Sequence, residues 1–162
     1  MFDVLAYVCE NENFGELGRG ADHLVRQLNA VGFEADQIDQ ALTWLRGLHT
    51  AARELREPAP SGPPTQGLLR PSAQSVRIYP SFEQRHLGTQ CLAFIAFLET
   101  GGALPAHVRE LVLERAMAIP GAPLALEDLK LIVRMVYANM GLDPGALILD
   151  ELASDSVRPT LH

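Results

Sequence analysis

The chain has 162 residues, 48% of them hydrophobic, with 20 acidic against 13 basic side chains and a formal net charge of −7. That length and apolar content are enough for one domain, or for two small lobes sharing an interface, with a real core. The charge balance weighs against a nucleic-acid binder, which must neutralise phosphates with clustered Lys or Arg.

Phe2 to about Glu12 reads as a first helix, with Phe2, Leu5, Ala6 and Cys9 on one face and Asp3 and Glu10 off it. Asn11 to Gly20 breaks the pattern. Asp22 then starts a second helix with the stripe Leu24, Val25, Leu28 and Val31, and Gly32 suits the left-handed position that ends it. Phe33 is expected to fold back as a plug. A third helix from about Asp36 carries Ile38, Leu42, Leu45 and Leu48 as its seam, broadened by Trp44. Residues 1–57 are therefore read as an N-terminal three-helix lobe.

Residues 58–75 hold 5 of the 11 prolines and little apolar content, which predicts a flexible Pro-rich linker. The second lobe, 76–153, opens on Val76-Arg77-Ile78-Tyr79, whose alternation suits a short extended segment. Ser81 with Gln84 has the capping-box spacing for helix four, faced by Leu87, Cys91, Phe94, Ile95 and Leu98. Leu92 and Phe97 make it apolar nearly all round, the pattern of a central helix. Gly101-Gly102 ends it, and Pro105 marks the first turn of helix five, with Val108, Leu111, Val112, Ala116 and Ile119 inward. Arg109, Glu110, Glu114 and Arg115 then decorate a solvated face. Helix six runs from about Leu126 to Met140, with Glu127 and Asp128 near the positive end of its dipole and Gly141 after its last turn. Asp143-Pro144 starts a short last helix over Ala146 to Leu152, and 154–162 reads as a tail.

No catalytic signature stands out. The helix–turn–helix over residues 22–48 would present Glu34, Asp36, Gln37 and Asp39 to a major groove, and residues 1–57 hold five arginines against ten carboxylates, so packing or protein docking is favoured there. His23, His49, His86, His107 and His162 lack metal-ligand spacing, and neither a Gly-x-Ser-x-Gly elbow nor a glycine-rich phosphate loop is present. Cys9 and Cys91 sit inside apolar helical patterns as structural thiols. The N-terminus has no signal-peptide pattern, and the longest apolar run, Cys91 to Leu98, falls far short of the ~20 residues of a membrane span, so a cytoplasmic protein is expected.

Specific phrases nevertheless resemble a known group. Met1-Phe2-Asp3-Val4-Leu5, the Gly32-Phe33 turn with Ile38, Ala41-Leu42 and Trp44-Leu45, and Ser75-x-Arg77-Ile78-Tyr79 are similar to those of the bacterial Smg family. So are Cys91 with Phe94 and Phe97-Leu98-Glu99, the Arg109-Glu110 and Glu114-Arg115 pairs, Leu129-Lys130 with Met135-Val136 and Asn139, and the terminal Leu161-His162. The likeness spans nearly the full chain. It implies no reaction, and a frequent neighbourhood with a DNA-processing gene implies an association with DNA metabolism. The family-like polar positions Arg77, Tyr79, Arg109, Arg115, Leu161 and His162 become the candidate binding residues.

The reading is an all-α protein of a three-helix lobe and a lobe of about four helices, non-catalytic and without cofactor or metal, that binds another protein. The alternative is a nucleic-acid-binding accessory factor using an arginine patch of Arg77, Arg85, Arg109 and Arg115.

Overall fold

A computed structural model describes residues 1–11, 21–56, 77–121 and 123–142. All regular structure among them is helical: α1 Phe2–Glu10, α2 Ala21–Val31, α3 Ala35–Arg56, α4 Ser81–Thr100, α5 Ala106–Met117 and α6 Leu126–Met140. The linker, the short last helix and the tail expected from the sequence lie outside the described residues.

Helix ends follow local chemistry. After α2, the Gly32 N–H donates to the Asn29 carbonyl and the Phe33 N–H to the Leu28 carbonyl, with Gly32 at φ 102°. This reciprocal pair satisfies carbonyls that a helix terminus leaves open. The same pairing closes α4 around Gly102 and α6 around Gly141. Phe33 does fold back: its ring meets Tyr7 of α1 edge-on, with centroids 5.8 Å apart. The start of α4 differs from expectation. Pro80 is the N-cap and no side chain caps the helix, because Ser81 already lies inside it; the Gln84 amide instead donates to the Tyr79 carbonyl at 2.7 Å. Pro105 likewise sits one position earlier than expected, as the N-cap of α5.

Buried apolar residues from all six helices form one cluster, from Val4, Leu5 and Leu24 through Leu45 and Leu48 to Ile95, Val112, Ile132 and Val136. α6 is its hub, touching α1, α3, α4 and α5. The sequence pattern had favoured helix four as the centre of its lobe. In the fold the Phe97 ring stacks on Phe94 with half its surface in solvent, so α4 keeps a wet side. Side chains also tie helix to helix. The Trp44 indole N–H donates to the Arg115 carbonyl at 3.0 Å, filling an acceptor in the last turn of α5 that has no intrahelical partner. At the end of α6, Arg56 of α3 donates to the Asn139 carbonyl in the same way.

α4 is broken at Gly88, whose φ 70° and ψ 170° are non-helical. Only glycine adopts that combination without strain. The break lets another segment use the opened backbone: the Leu124 N–H donates to the His86 carbonyl at 2.7 Å, and the Cys91 thiol lies 3.5 Å from the Leu124 carbonyl. The strand-like residues before α6 are thereby strapped across the middle of α4.

Candidate functional site

The extended residues 77–80 lead into α4, and their alternation decides what each side chain meets. Arg77 and Tyr79 point to one side, with the guanidinium 4.7 Å above the phenol ring, a cation–π contact. Ile78 points the other way and is 88% exposed.

Arg77 is held by two carboxylates. Its two terminal nitrogens donate to Glu83 at 2.5 and 3.1 Å, and its Nε donates to Glu110 at 2.9 Å. Arg109 shares Glu110, through Nε at 3.0 Å and a terminal nitrogen at 2.9 Å, and also donates to Glu99. The result is a continuous chain, Glu83–Arg77–Glu110–Arg109–Glu99, that joins both ends of α4 to α5. Glu83 and Glu99 lie sixteen residues apart, which a straight helix would separate by about 24 Å; the Gly88 break falls between them. Two cations among three carboxylates leave a local charge of −1.

The electrostatics describe a locked network. The Arg77 guanidinium is driven to bind its proton more tightly, first by its hydrogen bond to Glu83, with burial opposing and Glu110 adding to the effect. For Arg109, burial works against the charge, and the hydrogen bonds to Glu99 and Glu110 outweigh it. Burial pushes the Tyr79 phenol up, with the Glu99 charge adding to it. Every nitrogen of Arg77 and Arg109 already faces a glutamate oxygen, and the local charge of −1 works against an incoming phosphate or carboxylate. Such a network fixes a surface more readily than it catalyses on one.

Three of the sequence-derived candidates, Arg77, Tyr79 and Arg109, thus come together. Arg115 does not join them. It lies toward the other end of α5, where a terminal nitrogen donates to Glu114 at 2.6 Å and the guanidinium packs over Gly47 of α3. Leu161 and His162 lie outside the described residues. Instead of decorating a solvated face, Arg109 and Arg115 keep only 12% and 13% of their side chains exposed, because each lies across a neighbouring helix. Sequence reading missed Glu83 and Glu99 as partners and missed the outward Ile78 and the half-exposed Phe82 in the first turn of α4. A carboxylate at each end of one helix, with arginines on flanking segments, was the available signal.

Other chemistry is quiet. Both cysteines are free; burial raises the Cys9 thiol and pushes Cys91 up to about 11, with Asp128 adding to the latter, so both stay protonated near neutral pH. Among the described residues no three or more His, Cys, Asp or Glu side chains are grouped to hold a metal ion, and no helix is long and apolar enough to cross a membrane.

Among the described residues, six helices around one apolar core and a charge network across α4 and α5 define an all-helical protein. The chain belongs to the family described as protein of unknown function DUF494, whose model matches residues 1–162, and its curated relatives are the Smg proteins of bacteria. It is 47% identical to the Smg homolog of Methylibium petroleiphilum over 164 residues, and 47% identical to that of Leptothrix cholodnii over 162. The Smg homolog of Bordetella pertussis is 38% identical; in all three cases the whole of both chains is covered. No solved structure matches the chain.

Proposed function

We propose that this Smg-family chain is a non-catalytic cytoplasmic adaptor that docks another protein on the edge formed by residues 77–82. The observation that carries the reading is Ile78, 88% exposed, four residues before Phe82 at 55%, on a segment whose two neighbouring polar side chains are clamped against α4 and α5. Exposed apolar side chains set in a polar rim are the form a protein contact site takes. Arg77 and Tyr79 set the segment's course, and Arg109 anchors Glu110 for Arg77.

The nucleic-acid alternative draws less support. Of its four arginines, Arg77 and Arg109 are held by glutamates, Arg115 lies elsewhere on α5, and Arg85 alone is exposed with no hydrogen bond or ion pair to another of the described residues. The direct test is capture from native lysate, with nuclease, by the wild-type chain and by an Ile78→Asp/Phe82→Asp variant. A partner lost only from the variant supports docking at this edge; a partner retained by both removes it.

A further inference from the structure

A second candidate site is lined by none of residues 77–82 and owes nothing to the docking edge. A cavity of about 390 Å³ opens between the N-terminal half of α3 and the end of α5, lined among others by Asp39, Thr43, Trp44, Arg115, Ala118 and Pro120. Its volume is that of a small-molecule site. Its walls are mainly apolar, with an anionic and a cationic side chain on the same rim.

Arg115 is placed there by construction. Gly47 of α3 leaves room for it: a Cβ at that position would come within 2.1 Å of a terminal guanidinium nitrogen. Trp44, which also lines the cavity, donates its indole N–H to the Arg115 backbone carbonyl and so fixes the residue that carries the guanidinium. Yet the guanidinium is underused. One terminal nitrogen donates to Glu114, while the buried Nε has no hydrogen-bond partner among the described residues. Buried donors are normally satisfied, and a guanidinium with five N–H groups and one carboxylate partner among the described residues keeps donors for an acceptor in the cavity. Asp39, exposed on the same rim, has no ion-pair partner among the described residues and disfavours a second negative charge on whatever enters.

We infer that this cavity binds a free α-amino acid with an apolar side chain, its carboxylate on Arg115, its ammonium toward Asp39 and its side chain against Trp44. A monoanion alone leaves Asp39 unmatched, and a phosphate brings too much negative charge to it. The zwitterion matches both rim charges, and the apolar walls match its side chain.

Trp44 is the only tryptophan in the chain, so its emission reports on this cavity alone. The test titrates the full-length protein with L-phenylalanine and L-leucine, following Trp44 fluorescence and calorimetry. Saturable binding at or below about 1 mM, at least tenfold weaker for phenylalaninamide, for N-acetylphenylalanine and for the Asp39→Asn and Arg115→Gln variants, is the expected result. Asp39 is exposed, so its variant remains informative if Arg115→Gln does not fold. Binding of the amide or the N-acetyl compound as tight as that of the free amino acid, or no saturable change with either amino acid up to about 10 mM, overturns the assignment.

Discussion

Arg77 shows how one residue determines the candidate surface. It bonds Glu83, a residue only 9% exposed, and reaches Glu110 with its remaining nitrogen. Replacing it by alanine strands the Glu83 carboxylate, and the expected loss is about 1–3 kcal/mol by urea unfolding. Arg77→Ala/Glu83→Ala should lose less than the two single changes added together, since the stranded charge disappears with its partner. Additive losses would mean that the pair is not coupled. Asp128, in the first turn of α6, supplies a pH prediction. Burial raises its carboxyl, the Asp3 charge adds to this, and a hydrogen bond with the Ala125 backbone opposes it. The folded state therefore holds that proton more tightly than the unfolded chain does. Its contribution to stability is present below the unfolded value of about 3.9 and is lost as pH rises through the raised folded value. Asp128→Asn should accordingly have the higher melting temperature at neutral pH, with the gap closing as pH falls through that window. A gap that widens on acidification would contradict the sign.

Among the elements, α4 carries the strongest local signature. Its break at Gly88 gives up helical hydrogen bonds, and the Leu124 N–H recovers one of the freed carbonyls. Alanine at position 88 has to adopt φ 70° and ψ 170° or straighten the helix and lose that strap, so a destabilisation of about 1–3 kcal/mol is expected in urea. An unchanged midpoint would show that the break does not depend on glycine. Helix spans and inward faces were legible from 3.6-residue periodicity: α6 begins and ends where the pattern placed it, and Gly32, Gly102 and Gly141 close helices as their position suggested. The break was not legible, because a single glycine inside an apolar helical run reads the same whether the helix continues or turns aside. The capping-box spacing of Ser81 and Gln84 misled for a related reason, since the extended segment delivers Pro80 to the cap.

For the molecule as a whole, the core is continuous. α1 and α3 pack on α6, α3 also packs on α5, and Trp44 bonds into the last turn of α5. Packing of this kind predicts one cooperative unfolding transition, with Trp44 fluorescence and helical circular dichroism coincident in urea. Two separated transitions would show that residues before and after the Pro-rich segment fold independently. Of the candidate site, the arginines and the tyrosine were legible as residue types, but not their neighbours. Glu83, Glu110 and Glu99 meet them only because α4 and α5 are brought side by side, and no spacing along the chain encodes that pairing. The direction of Ile78 was hidden for the same reason: alternation says that it opposes Arg77, and only tertiary packing says which side is water.

The central claim is that the edge around Ile78 and Phe82 binds protein. The most direct measurement is quantitative capture from nuclease-treated native lysate, comparing wild type with a folded Ile78→Asp/Phe82→Asp variant by mass spectrometry. A stoichiometric protein partner that survives nuclease and is lost from the variant is the predicted result. A partner that stays with the variant, or that disappears with the nucleic acid, would contradict it.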